Sequence, residues 1–472
     1  MSWLGYKREN RGLGTAKAKG LSAVSPLPVK EDRASQAAPL SKKDEAREIR
    51  LYQVKKRIHH LLLERLDLSA LEELEENIRA REIRQALGTL LEEEEEPLNL
   101  AEKTRLNLEL EFEILGLGPL EPLLSDPTIS DILVNRHNQV YVERRGLLEL
   151  TDIRFQDSEH LLKIINKIVS NVGRRIDESV PMVDARLPDG SRVNAIIPPL
   201  ALDGPMLCIR RFSVTRPTLE DLVEKGSLTA EIGEVLKAVA VAKLNVLISG
   251  GTGAGKTTLL NILSGFIPVN ERILTIEDSA ELQLQQEHVC RLESRPPNVE
   301  GRGEITTRDL VRNSLRMRPD RIIVGEVRGP EVIDMLQAMN TGHEGSMTTI
   351  HANTSRDALL RLETMISLSG ITIQETAMRQ MISSSINVIL QLVRHSDGRR
   401  RLASFSEITG MEGGVISMQD IFVFERHGMT LDGMITGRYV ATGVCPHFAE
   451  RCRLFGAPLM EDIFNPPDRG QV

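Results

Sequence analysis

Eight residues, Gly250-Gly251-Thr252-Gly253-Ala254-Gly255-Lys256-Thr257, follow the spacing G-x-x-x-x-G-K-[ST], whose chemistry is the capture of a polyphosphate. Glycines let the main chain curl around an anion with no Cβ in the way, so that successive N–H groups and a helix N-terminus face it. Lys256 then reaches the β- and γ-phosphates, Thr257 offers its hydroxyl to Mg²⁺, and Thr258 continues the helix as the last residue of the binding set. The flanks decide between this and an ordinary glycine turn. Leu244-Asn245-Val246-Leu247-Ile248 reads as a buried parallel strand, and Leu259, Leu260, Ile262, Leu263 and Phe266 recur at helical spacing. Strand, glycine loop and helix in that order predict a nucleoside triphosphate site.

Acidic residues follow where such a site needs them, at the carboxyl ends of strands. The apolar run Arg272-Ile273-Leu274-Thr275-Ile276 delivers Glu277 and Asp278, with Glu281 a turn later; metal or water positioning is one use, helix capping by Asp278 the other. A second buried run, Arg321-Ile322-Ile323-Val324, leads to Glu326. Its carboxylate can polarise an attacking water or hold the water shell of Mg²⁺, and spacing leaves both roles open. His343 and His351 bracket a strand at 346–350, and His351 at its end is placed to sense a γ-phosphate. Upstream, Arg174, Arg175, Arg186, Arg192, Arg210 and Arg211 crowd one segment, where Asp177, Glu178, Asp184 and Asp189 pair with only part of them. An arginine on a γ-phosphate accelerates turnover by roughly 10³- to 10⁵-fold in other nucleotide hydrolases.

The elements that must hold these groups arrange the 472 residues into several parts. Residues 1–42 lack apolar periodicity and are expected to be disordered, with Trp3 and Leu4 as a possible docking motif; 43–104 read as a helical arm, with helices over 43–67 and 69–91 and a third starting near Asn99. The acidic run 92–96 reads as solvated. Residues 105–213 form a small α+β domain, with a hairpin about Arg136-His137-Asn138 and another about Pro188-Asp189-Gly190. A linker at 214–226 leads to the nucleotide domain at 227–427, in which 291–306 is expected to be a loop. Residues 428–472 read as a C-terminal docking tail.

A net charge of −8 and 3% aromatic residues argue against a dedicated nucleic-acid binder. Four scattered cysteines fit a reducing compartment, and no apolar run reaches membrane-spanning length. A cytoplasmic protein is expected.

The boxes in order, namely the glycine loop, Thr275-Ile276-Glu277-Asp278, Arg316-Met317-Arg318-Pro319-Asp320 with Gly325-Glu326-Val327-Arg328, and Asn340-Thr341-Gly342-His343 with Thr349-Ile350-His351-Ala352-Asn353, resemble the secretion ATPase superfamily. Gly173-Arg174-Arg175-Ile176-Asp177-Glu178-Ser179 and Asp184-Ala185-Arg186-Leu187-Pro188-Asp189-Gly190-Ser191-Arg192 are most similar to its tight-adherence pilus branch, the CpaF-type ATPases. The resemblance implies an α/β fold: a RecA-like P-loop domain preceded by a small α+β domain and a helical arm. It implies a homohexamer at the inner face of the bacterial inner membrane, using ATP and Mg²⁺ to drive platform proteins of a pilus, peripheral to the membrane through those partners and without stable nucleic acid. A secretion or conjugation ATPase translocating protein or DNA is the alternative. By the same resemblance Glu277 and Glu326 carry the catalytic carboxylate roles, His351 the sensor role, and Arg192, Arg210 and Arg211 the closing arginines. No zinc site is expected, since Cys445, His447 and Cys452 are too loosely spaced.

Overall fold

The computed structural model describes residues 42–65, 76–144, 146–211, 217–297 and 302–466. The expectations for the tail before residue 42, for the start of the second helix at 69–75, for linker positions 214–216 and for loop positions 298–301 lie outside the described residues. Two compact units divide at Leu110/Glu111, within a helix, whereas the sequence places the boundary at 104/105.

The first unit holds α1 (Lys42–Arg65), α2 (Glu76–Glu93) and the beginning of α3 (Leu100–Leu115). Leu51, Val54, Ile58 and Leu62 recur every three or four residues of α1 and are buried, as are Ile83, Leu87 and Leu90 of α2. Asn99 starts α3 through a reciprocal cap: its Oδ1 accepts from Glu102 N at 2.9 Å, while Glu102 Oε2 accepts from Asn99 N at 3.0 Å. Arg47 and Arg50 complete that carboxylate at 2.8 and 3.0 Å.

After the end of α3, the second unit continues with the helical turn α4 (Glu121–Ser125) and a six-stranded antiparallel sheet, in the order β3-β2-β1-β6-β5-β4. Its strands are β1 (Ile129–Arg136), β2 (Gln139–Arg144), β3 (Leu147–Leu150), β4 (Met182–Arg186), β5 (Arg192–Ile196) and β6 (Met206–Arg210). Helix α5 (Ser158–Asn171) is capped by Asp157 and lays Leu161, Ile164, Ile165 and Ile168 on the apolar face of the sheet. The turn between β4 and β5 is the proline–glycine hairpin read from the sequence; Gly190 takes φ +91°, a left-handed value that only glycine adopts freely. It brings Arg186 and Arg192 opposite each other.

Helices α6 (Leu219–Glu224) and α7 (Ala230–Val241) lead into a nine-stranded sheet. Five of its strands, β12 (Val388–Arg394), β7 (Val246–Gly250), β11 (Met347–Ile350), β10 (Arg321–Val324) and β8 (Ile273–Glu277), run parallel in that spatial order. That order, with the glycine loop after the second strand in space and the acids after β8 and β10, is the RecA-like fold. Every residue of β7 is buried, with Val246 and Ile248 in one core layer and Leu247 in the other, so the strand is fixed from both faces. Helix α8 (Lys256–Ser264) covers one face through Leu259, Leu260 and Leu263; α10 (Glu331–Asn340) covers the other through Val332, Met335 and Leu336.

Two expectations need correction. Within the expected loop at 291–306, Arg291, Leu292 and Glu293 belong to an edge strand, β9 (Val289–Glu293), which pairs in parallel with β8. Its alternation is too short to read against the following prolines. The expected tail after 427 is also part of the domain. Strand β14 (Val415–Met429) runs through the boundary, pairs with β13 (Arg400–Glu412), and is followed by β15 (Ile435–Ala441) and α13 (Phe448–Leu454). Phe448 and Phe464 enter the core beside Phe405 and Phe422, with ring centres about 6 Å apart. Replacement of Phe448 by alanine is therefore expected to cost about 3 kcal/mol of unfolding free energy, a core value. Denaturant unfolding reads this directly, and a change below about 0.5 kcal/mol, as for a surface substitution, contradicts the placement.

Candidate nucleotide-binding site

The loop between β7 and α8 is shaped by its glycines. Gly253 (φ +67°) and Gly255 (φ +96°) are left-handed, and a Cβ on Gly250 would lie 2.7 Å from the carbonyl oxygen of Leu392. Lys256 opens the helix at the inside of this loop. Its Nζ donates to the carbonyls of Gly250 (3.0 Å) and Gly251 (3.2 Å), and Glu326 Oε1 comes no closer than 4.0 Å. Burial lowers the lysine pKa, and Glu326 opposes that shift. A part-buried ammonium held mostly by neutral carbonyls is a cation short of its counter-charge.

The acids gather around it. Parallel pairing sets β8 beside β10, with Ile276 opposite Val324, so the groups delivered after each strand end up as neighbours. Glu277 is buried; its Oε1 accepts from the backbone N–H groups of Glu281 (2.8 Å) and Leu282 (2.9 Å), while Oε2 has no hydrogen-bond partner among the described residues. Burial raises its pKa, against those two N–H bonds. Glu326 accepts from Arg328 Nε at 2.7 Å, and Arg328 also lies 3.7 Å from Asp278. Asp278 accepts from Thr307 at 2.7 Å, so neither reading of it as a metal ligand nor simple capping by it describes its partners fully.

Of the arginines read from the sequence, Arg192 makes the most direct approach from the small domain. It pairs with Glu281 at 3.0 Å and donates to the carbonyl of Ser279 at 2.7 Å; Arg186 pairs with Glu293 at 3.1 Å. Glu281 in turn accepts from the Thr257 hydroxyl at 3.4 Å. Arg210 is paired with Asp131 at 3.2 Å, and Arg211 donates to the carbonyl of Ile129 at 3.3 Å, leaving Arg211 Nε buried without a partner among the described residues. Arg175 pairs with Asp177 at 2.9 Å, a contact within the small domain. His351 follows β11, whose last residue Ile350 pairs with Ser249, so it sits beside the loop; no hydrogen bond or ion pair of its ring occurs among the described residues.

Arg192, Arg210, Arg211, Thr257, Thr258 and Glu281 line a cavity of about 460 Å³, whereas Lys256, Glu277, Glu326 and His351 are not among its lining residues. The three arginines come from the small domain and the two threonines from the start of α8, and Glu281 contacts both Arg192 and Thr257. Leu219, Ile262 and Phe266 add an apolar stretch beyond the threonines. The volume suits one small organic ligand. Two features were missed in reading the sequence: the link through Glu281, and the wall supplied by residues 217–220. The four-residue spacing from Glu277 to Glu281 was the available signal for the first; the proline before the Thr218 cap was the signal for the second. The residue set fits a Mg²⁺-bearing polyphosphate, with a loop in which Gly253 and Gly255 take left-handed φ, an underpaired part-buried ammonium, a hydroxyl at the helix start and a buried carboxylate oxygen without a partner among the described residues.

Fold and site together define a P-loop nucleotide-binding domain of RecA-like topology joined to an arginine-bearing α+β domain. Residues 113–428 match the model of the T2SSE family, described as type II/IV secretion system protein, and the chain belongs to that family. It is 40% identical over 315 residues to a Mycobacterium tuberculosis protein named "Putative conjugal transfer protein", covering 65% of this chain and 88% of that one. It is 33% identical over 303 residues to the type IV secretion system protein VirB11 of Brucella suis, covering 59% and 82%. The solved Legionella pneumophila ATPase DotB is 25% identical over 59% of this chain and 76% of that one, with a TM-score of 0.43.

The raised pKa of Glu277 carries a sign. Between the ordinary glutamate value and its own higher one, the folded protein holds a proton that the unfolded chain releases, so this residue's contribution to stability falls as pH rises through that window. Glu277→Gln removes the effect. Relative to the unsubstituted protein, the variant is expected to gain stability as pH is taken from about 4.5 to 7, followed by thermal unfolding. A relative gain on acidification instead would contradict the assignment.

Proposed function

We propose that this protein is a Mg²⁺-dependent ATPase whose turnover takes place in the cavity between its two second-unit domains and drives assembly of a tight-adherence pilus as a homohexamer. Family membership supports the coarser part of this reading, an ATPase of the type II/IV secretion class. The observation that carries the chemistry is the convergence of Thr257, Glu281 and Arg192, from three separate elements, on one cavity beside Lys256.

In this reading residues 250–258 bind the phosphates, with Lys256 neutralising the terminal ones. Thr257 and Glu326 would hold Mg²⁺, which would supply charge neutralisation on the phosphates. A water attacks the γ-phosphorus as the bond to the β-phosphate oxygen breaks, releasing ADP and phosphate. Glu277 and Glu326 are the two carboxylates able to orient that water or take its proton. Glu277 sits in the drier place, which makes it the stronger base once ionised. His351 reports the γ-phosphate from the end of β11. Arg192, Arg210 and Arg211 balance the charge that develops on the transferred group. Their present partners are carboxylates and carbonyls, acceptors for which phosphate oxygens can substitute.

Pilus assembly as the output is supported by the segments 173–179 and 184–192, which are most similar to the CpaF-type branch. It places the protein in the cytoplasm at the inner membrane, bound through platform proteins. No helix among the described residues is long and apolar enough to cross a membrane. A second reading, transfer of DNA or protein, is favoured by the names of the Mycobacterium tuberculosis and Brucella suis relatives.

ATP turnover of the full chain tests these readings. Turnover is expected only in the oligomer, and to fall by at least about 10³-fold in Lys256→Ala and Glu326→Gln. Monomers hydrolysing at the full rate would remove the shared-ring mechanism. Addition of duplex or single-stranded DNA is expected to leave the rate unchanged; stimulation that fades with rising salt would select the second reading.

A further inference from the structure

The hairpin joining β12 and β13 touches both the glycine loop and the far edge of the small domain, and the site described so far does not use it. Its base carries two arginines. Arg400 Nε donates to the carbonyl of Gly253 at 2.8 Å, and its Cδ would lie 3.4 Å from a Cβ on Gly255. Arg394 crosses the same loop: its Nη1 would stand 3.0 Å from a Cβ on Gly253. The other end of that guanidinium reaches the small domain, where it donates to the carbonyl of Gly146 and lies 3.5 Å from Glu143. Gly146 takes φ +85° in the turn between β2 and β3, and a Cβ there would meet Arg394 Nη2 at 3.3 Å and the carbonyl of Gly398 at 3.5 Å.

The hairpin tip is built to be stiff. His395 N donates to Arg399 O at 2.9 Å and Gly398 N to His395 O at 3.0 Å, closing the turn. The buried Asp397 carboxylate accepts from Arg399 N (3.0 Å) and from Ile435 N (3.1 Å), and faces Arg401 at 3.5 Å. The turn is thus fastened to β15 behind it, so a push at one arginine is passed on to the other rather than absorbed.

We infer that Arg400 and Arg394 are positioning residues of the nucleotide site: Arg400 holds the glycine loop in its anion-binding shape from outside, and Arg394 ties that loop to the β2–β3 turn of the small domain. This rests on the nucleotide reading above. The physical step is the peptide between Gly253 and Ala254. A guanidinium on its carbonyl polarises the same peptide's N–H, that of Ala254, which donates to the carbonyl of Gly251 at 3.3 Å, and so strengthens the turn that gives the loop its shape. Arg400 also places a positive charge against the loop. Arg394 makes the shape of the loop depend on where the small domain sits. Nucleotide affinity is therefore assigned to Arg400 and coupling of domain closure to turnover to Arg394.

The experiment uses the full chain with ADP, ATP and Mg²⁺, and compares Arg400→Gln, Arg400→Lys, Arg394→Gln and Glu143→Gln. The unliganded melting temperature of each is expected to stay within about 2 °C of the parent, since the contacts are exposed or partly so. Arg400→Gln is expected to weaken ADP binding about tenfold and to shrink the ADP-induced rise in melting temperature, with Arg400→Lys restoring only part, because an ammonium returns the charge and not the aligned N–H. Arg394→Gln is expected to leave ADP affinity within about twofold while kcat falls about tenfold. Glu143→Gln, which loosens the same tie from the small-domain side, should lower kcat to a smaller extent. Parent-like affinity and turnover in both arginine variants would overturn the inference, as would losses that merely follow a drop in unliganded melting temperature. If the parent itself neither binds ADP nor turns over ATP, the nucleotide reading fails and takes this inference with it; if the parent is active and the variants match it, only this inference falls.

Discussion

Removing an ammonium from water is costly unless an opposite charge replaces the lost hydration, and Lys256 has had most of that hydration taken away. Two carbonyls hold it, and the nearest carboxylate oxygen stands at 4.0 Å. The glycine loop tolerates this because β7 behind it and α8 beyond it are locked in both core layers, so it cannot relax to give the lysine a better partner. The stability of the domain thus maintains a local shortage of negative charge. A polyphosphate relieves that shortage, which is why the loop is better described as a site waiting for an anion than as a turn that happens to contain lysine.

What keeps β7 in register is a buried amide at its start. The Asn245 side chain accepts from Gly345 N (2.8 Å) and Ser346 N (3.1 Å), and donates to the carbonyls of Met339 (3.2 Å) and Ser385 (2.7 Å). All of its hydrogen-bonding capacity is used, joining the entry of β7 to the entry of β11 and to the ends of two helices. Next to it, Arg321 is fully buried at the entry of β10 and is neutralised by Glu271 at 2.6 Å. These polar groups lie at the end of the sheet opposite the site. They fix where each strand begins, and with strands of four or five residues that decides where Glu277, Glu326 and His351 are delivered.

The parallel core was legible in the sequence because each of its strands is a short apolar run ended by a charged or glycine residue, and because the glycine loop names its own neighbours. The strand ends carrying Glu277 and Glu326 could be placed for the same reason. Residues after 427 could not. Strands β13 and β14 run 13 and 15 residues with one face half-exposed and with register shifts near Phe405 and Ile408, which blurs the period-two pattern, and the pair Gly413-Gly414 reads as a break rather than a hairpin turn. Phe448 and Phe464 are single aromatics among polar residues, so nothing local marks them as core. Contacts such as Arg192 with Glu281 join residues far apart in sequence, and charge alone did not say which of six arginines would face which acid.

Ion pairs that water reaches cross the contact between the small domain and the nucleotide domain: Arg192 with Glu281, Arg186 with Glu293, Arg394 with Glu143. Pairs of this kind contribute about 0–1 kcal/mol each in water. That weakness suits a moving part. A closed arrangement held by a large apolar seam would change little when a ligand of a few charges arrived, whereas a seam of exchangeable guanidinium contacts can be redrawn by phosphates that accept the same N–H groups more strongly. Rigidity therefore resides within the sheets, in Asn245, Arg321 and the paired phenylalanines, and compliance resides between them. Under the proposed nucleotide reading, that division would let the energy of anion binding at Lys256 appear as displacement of the arginine-bearing domain rather than as distortion of the loop.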